Sequence, residues 1–207
     1  MRVQTTIDIF DYWNRIRGLE IAPLKSQVEP ASLRHILSSV FILESANDGR
    51  IVFRLAGTRI CDLFGRDLRA VHFAGLWANG QHDDIEKTAA GVMDHAIPAL
   101  LTATGFSIAG HRASFEIIIM PLRSQEGSCD RMLGAIAPTT ASSWLEVVPI
   151  EFLALDRSRL LHETLAGSGF SGEDGIARGS VVAERPHGLA ETMRRMMSHL
   201  FENTSAN

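Results

Sequence analysis

Residues 40–65 read VFILESANDGRIVFRLAGTRICDLFG, and the order of signals within them decides the fold class. Val40 to Ala46 is an apolar, β-prone run, and Asn47-Asp48-Gly49 is a hairpin turn signal. Arg50 to Gly57 then reads as a second strand, with Ile51, Phe53 and Leu55 expected on one face and Arg54 on the other. Gly57-Thr58 opens a short helix over 59–64, with Thr58 as its cap and Gly65 as its terminator. A hairpin that runs straight into a helix does not fit the strict strand–helix alternation of a doubly wound nucleotide fold.

Upstream, Thr5 and Thr6 are N-cap candidates for a helix through about Arg17, ended by Gly18. Ile9, Phe10, Trp13 and Ile16 fall on one stripe of it. A second short helix is expected from Pro30 to Leu37. Downstream, 66–82 is irregular, and Asp83-Asp84 opens a longer helix whose Ile85, Ala89, Val92 and Ala96 repeat with helical spacing up to Pro98. Three strands come next: 99–108, 112–123 and 131–137. In the middle one, Arg112, Ser114 and Glu116 alternate with Ala113, Phe115 and Ile117, so a wet face and a buried face are expected. An early hairpin and a later meander, bridged by helices, make an α+β domain with one antiparallel sheet. Trp144 to Leu155 is an apolar run broken by Pro149, Arg159 to Ala166 has helical character, 167–179 is a Gly/Ser-rich linker, and 187–201 carries a Met-rich stripe suited to a terminal helix.

Composition narrows the function classes. With 45% apolar and 21% charged residues the 207-residue chain has the balance of a soluble globular protein. A net charge of −4 argues against bulk affinity for nucleic acid or anionic membrane. No stretch approaches a membrane span, and the N-terminus lacks the apolar core of a signal peptide, so a cytoplasmic location is expected. Cys61 and Cys129 form no C-x-x-C, and the eight histidines show no metal-binding spacing. There is no G-x-S-x-G, and no nucleophile–base set, so no enzyme is expected. Gly167 to Gly172 fits G-x-G-x-x-G, but without a strand before it, and with Glu173-Asp174 after it, it reads as a linker.

The motifs resemble a bacterial PAS family, best known from alphaproteobacteria, whose members are mostly small stand-alone proteins. The matching residues are Tyr12-Trp13, Arg17-Gly18, Pro30 to Leu37, Phe53 to Thr58, Leu63 to Leu68, Leu76-Trp77, Pro121 to Arg123 and Arg131 to Ala135. The resemblance implies a PAS-like sheet of five antiparallel strands, cradled by helices around a small apolar cavity. It implies sensing of a ligand or cofactor, or protein contacts in signalling. The organisation expected is an N-terminal flanking helix (1–24), a PAS-like domain (25–140) and a C-terminal extension (141–207).

That fold points to candidate site residues. Phe53, Leu55, Phe64, Trp77, Val92, Phe115 and Ile117 either wall a ligand cavity or fill a solid core, with Thr102, Thr104 and Ser107 as polar groups for a ligand. Some PAS sensors carry a haem-ligating histidine on the helix where His95 stands, so His95 is a haem candidate; the alternative is a boundary histidine at a helix C-terminus. Cys61 does not stand in the motif of light-sensing flavin-binding relatives and reads as a boundary thiol. Ile9, Phe10, Trp13 and Ile16 are expected to pair two protomers as a homodimer, the alternative being packing on the outer sheet face. The function expected is a signalling module acting through partner proteins, either with a filled core or modulated by a small-molecule ligand, with no nucleic acid and no membrane span; the alternatives are a haem sensor using His95 and, ranked last, a small enzyme on the same scaffold.

Overall fold

The computed structural model describes residues 1–161 apart from 47 and 126; the Gly/Ser-rich stretch, its G-x-G-x-x-G and the Met-rich stripe lie outside the described residues. One six-stranded antiparallel sheet organises these residues: β1 (Val40–Ser45), β2 (Ile51–Ala56), β3 (Ala99–Ser107), β4 (Arg112–Arg123), β5 (Cys129–Pro138) and β6 (Ile150–Leu160). Their order across the sheet is β2-β1-β5-β4-β3-β6. The helices are α1 (Gln4–Arg17), α2 (Thr58–Phe64) and α3 (His82–His95).

The sheet has one strand more than the five expected. Pro149 lacks the N–H that a ladder needs, so the apolar run from Trp144 stays a turn and β6 begins at Ile150. Arg159, expected to open a helix, instead lies within that strand, paired with Leu100. The sheet therefore extends past the expected domain limit at 140. The segment 30–37 also differs: it forms two 3₁₀ turns, Pro30–Leu33 and Leu37–Ser39, rather than one helix. Pro30 still takes the first-turn position. The terminator of α2 is Gly65, left-handed with φ 61°.

A β-bulge corrects the reading of the first hairpin. Phe53 pairs with Leu43 and Leu55 with Ile42, so Arg54 has no partner across the ladder. One extra residue reverses the facing of the strand beyond it. Phe53 stays in the core, whereas Leu55 turns to the opposite face and is 46% exposed. Leu55 is thus removed from the candidate cavity.

The two faces of the sheet carry separate clusters. On the inner face, β-strand residues such as Phe41, Phe53, Leu101, Phe115 and Ile117 meet α2, α3 and the turn Ala74–Leu76. On the outer face, Leu100, Ile118, Met120, Leu133 and Ala135 are covered by α1. The outer edge of β2 is closed by residues 70–73: Phe53 N donates to Val71 O at 2.9 Å, and Phe73 N to Ile51 O at 2.9 Å.

Candidate functional site

The inner face is packed by rings. Phe41 and Phe53 meet edge-on with centroids 5.5 Å apart, Phe53 and Phe73 at 5.8 Å, and Phe73 and Trp77 at 5.8 Å. These spacings are direct contacts, so aromatic carbon fills the space that an open cavity would occupy there. Gly134 of β5 makes room for one of the rings, since a Cβ on it would collide with Phe41. Of the residues expected around a cavity, Phe53, Phe64, Trp77, Val92, Phe115 and Ile117 all come together in this cluster. Phe41 and Phe73 were not among them, although both are nearly fully buried.

Polar groups on this face are few. Thr102 and Thr104 lie on the outer face with Leu100, and Thr104 donates to Asp156 at 3.1 Å. Ser107 is buried at the end of β3 and accepts from His111 N at 3.1 Å. Thr102 and Thr104 are thus turned away from the core. Among the described residues, the indole N–H of Trp77, a residue only 2% exposed, has no hydrogen-bond partner.

The outer face is held differently. Glu116, expected on a wet face, is 3% exposed beneath the start of α1. Its carboxylate accepts from Arg2 N at 3.0 Å and Val3 N at 3.2 Å, and from the Thr6 hydroxyl. Val3 is the N-cap residue, whose N–H a helix start leaves unpaired, and it has no side-chain cap of its own; Arg2 N lies just before it. The strand thus caps the helix with an anion at the positive end of its dipole. Burial pushes the Glu116 carboxyl pKa up, but the hydrogen bonds from Thr6, Arg2 and Val3 and the nearby N-terminal charge together hold it below the ordinary value. Further along, Trp13 Nε1 donates to Pro121 O at 2.8 Å. Ten residues of helix rise about 15 Å, and five of strand about 17 Å, so α1 runs along β4 in register with both anchors.

Within the single chain, the stripe expected to pair two protomers follows the alternative reading, packing on the outer sheet face. Ile9 and Trp13 are buried against the chain's own sheet, and Phe10 and Ile16 pack half-buried beside them. The acid at 116 carried a readable signal: it is followed on its own face by Ile118 and Met120, which no wet face would present.

His95 ends α3 with its side chain exposed, next to Ala96 in left-handed conformation at φ 53°. It borders surface grooves rather than the aromatic cluster, which gives no support to haem ligation inside the fold, and its place fits the boundary reading of a helix C-terminus. Cys61 likewise lines a surface pocket with Asp62 and Gly65. Burial pushes the Cys129 thiol pKa up, which disfavours a reactive thiolate. Among the described residues no group of three or more acidic, histidine or cysteine side chains could hold a metal. No helix among them is long and apolar enough to cross a membrane.

The sequence matches the PAS domain family over residues 1–137. The chain belongs to that family. The match takes in α1 and ends within β5, so the PAS sheet of this chain is completed by β6 from beyond it. No curated protein matches the sequence. Several solved structures are similar to this chain at low identity. A light-oxygen-voltage domain studied with a flavin analogue is 18% identical, with a TM-score of 0.41 over 55% of this chain and 84% of that one. The light-state structure of the blue-light photoreceptor Aureochrome1 LOV is 13% identical, with a TM-score of 0.40 over 58% and 94%. The Rhodobacter sphaeroides LOV protein is 9% identical, with a TM-score of 0.41 over 56% and 71%.

Proposed function

We propose that this PAS protein is a cytoplasmic sensory or regulatory module that signals through protein contacts, with the aromatic core as its input and α1 as its output. The observation that carries the reading is the double role of β4. Phe115, Ile117 and Ile119 face the core, while Glu116 and the Pro121 carbonyl between and beside them hold α1. A strand cannot shift its inner side chains without moving the outer ones. A change in core packing is therefore felt at the helix anchors, and the docked and released forms of α1 become the two states that a signal biases.

The attachment point that this reading gives a small molecule entering a rearranged core is the Trp77 indole donor, which has no partner among the described residues. Leaving such a group buried and unmet costs about 1–3 kcal/mol, which a ligand carrying a hydrogen-bond acceptor would recover. Release of α1 would expose Ile9, Phe10, Trp13 and Ile16 together, so the homodimer belongs to the released form in this reading.

The test is hydrogen–deuterium exchange on the full chain carrying Ile117→Val, a change confined to the inner face. Exchange in α1 is expected to rise more than exchange in β6, which does not touch the helix anchors. An α1 that exchanges as in the unaltered chain would count against coupling through β4.

A further inference from the structure

The outer side of β1 and β2 carries two grooves of about 430 Å³ each, which share Ile42, Leu55 and Arg69 in their lining. α1 lies over β4 and β5 and leaves this part of the sheet open, with Leu55 46% and Leu37 37% exposed. Leu55 stands there because of the bulge at Arg54. Bulges re-aim side chains, and this one places a large apolar group in water, a cost that a bound apolar surface would remove.

The two grooves differ in chemistry. One is mostly apolar, lined by Val28, Leu33, Leu37 and Leu133 besides Ile42 and Leu55. The other carries charge. Arg54 Nη1 donates to the Glu44 carboxylate at 3.1 Å, and the Arg131 guanidinium lies 3.5 Å from the same oxygen. One acid is thus shared by two arginines. Arg69 lines both grooves, and its guanidinium enters no ion pair among the described residues. The second acid, Asp67, lines the apolar groove and accepts from Arg69 N at 2.9 Å. The charged end therefore holds more cation than anion, on a chain whose net charge is −4.

The turn that carries Arg69 is fixed to the sheet. Val71 N donates to Leu68 O at 2.9 Å, and Ala70 N donates to Phe53 O at 2.8 Å. Within it Ala70 is left-handed at φ 61°, a strained conformation for a residue with a Cβ. Arg69 is thus held at the groove before any ligand arrives.

We propose that the joined grooves bind a single-chain amphiphile with a carboxylate head. The head meets Arg54 and Arg69, and the unbranched chain lies on Leu55, Ile42, Leu133 and Leu37. A mostly apolar lining with a few convergent polar groups is the character of a small-molecule site, and the volume lies in the range of such sites. The arginines select the head, and the apolar area supplies affinity. This site stands on the opposite face of the sheet from the aromatic core, so its failure would leave the coupling of β4 to α1 untouched.

Amide NMR on the full chain tests it with decanoate, titrated below its micelle-forming concentration. Saturable shifts are expected at Ile42, Val52, Leu55 and Arg69, with the Trp77 indole signal unmoved. Acetate, which lacks the chain, and decyltrimethylammonium, which carries the opposite head, are each expected to bind at least about tenfold more weakly. Arg54→Gln with Arg69→Gln is expected to weaken decanoate about tenfold. Leu55→Ser, an outward position whose change leaves no void, is expected to weaken it about fivefold. Circular dichroism verifies that the variants fold. Absence of saturable shifts would overturn the proposal, and so would equal binding by decyltrimethylammonium or indifference to both sets of substitutions. Shifts centred on Trp77 and Ile117 would overturn it as well, because they would place the chain in the core instead.

Discussion

β4 presents two faces that are held in opposite ways. Inward, Phe115, Ile117 and Ile119 lie within the apolar cluster and are at most 1% exposed. Outward, Glu116 is nearly as buried, yet its place depends on hydrogen bonds to the first residues of α1. Apolar contact is non-directional and spread over many neighbours, so it fails only when the fold fails. A buried carboxylate has a few directional partners and can be released by one protonation or one substitution. One strand thus joins a part that stays together to a part that can let go.

The sharpest way to break this contrast is to remove mass from each face in turn. Phe115→Ala leaves a void in the aromatic cluster and is expected to cost about 3–5 kcal/mol of global stability, read from the denaturant midpoint. Glu116→Ala strands the Arg2 and Val3 N–H groups and the Thr6 hydroxyl, at an expected cost of about 1–3 kcal/mol. Its effect should concentrate in α1, with faster amide exchange over 4–17 and a smaller change elsewhere. If Glu116→Ala loosened β6 as much as α1, the two faces would not be separable.

Acid offers a second route to the same anchor. The Glu116 pKa is held below its ordinary value, so the docked carboxylate stabilises the fold fully above the ordinary glutamate range. That contribution is lost as pH falls from the unfolded value through the lower folded one. Tryptophan fluorescence of Trp13 followed downward in pH is expected to report release of α1 in that window. In Glu116→Gln the same acid step should be absent, and its persistence would assign the transition to another group.

The legibility of each part in the sequence divides along the same line. The hairpin, the Gly65 terminator, the limits of β4 and the inner cluster are set by local turn chemistry and by alternation, which a single sequence displays. The element order alone gave an antiparallel α+β sheet, and the resemblance in Phe53 to Leu68 named its family. The site was less readable. Whether Phe53, Trp77 and Phe115 line a space or fill it depends on ring geometry, which spacing does not carry. The burial of Glu116 depends on α1, more than a hundred residues away in the chain. The exposure of His95 depends on where α3 ends, and Ala96 ends it by a left-handed turn that no glycine announces.

Leu55 is the smallest and most discriminating case. Alternation from Ile51 and Phe53 sends it inward, and only the unpaired Arg54 sends it outward. Bulges arise from pairing between strands, so residue preference along β2 does not reveal this one. The two readings differ widely in energy. An inward Leu55 replaced by a small residue would behave like a core truncation, costing about 2–5 kcal/mol. An outward one, 46% exposed beside Ile42 at the mouth of an open groove, leaves no void. Leu55→Ser is therefore expected to change stability by no more than about 0.5 kcal/mol, while Phe53→Ala, two residues earlier, is expected to cost about 3–5 kcal/mol. Similar losses in the two variants would mean that Arg54 does not interrupt the ladder, and the outer groove beside Leu55 would close with it.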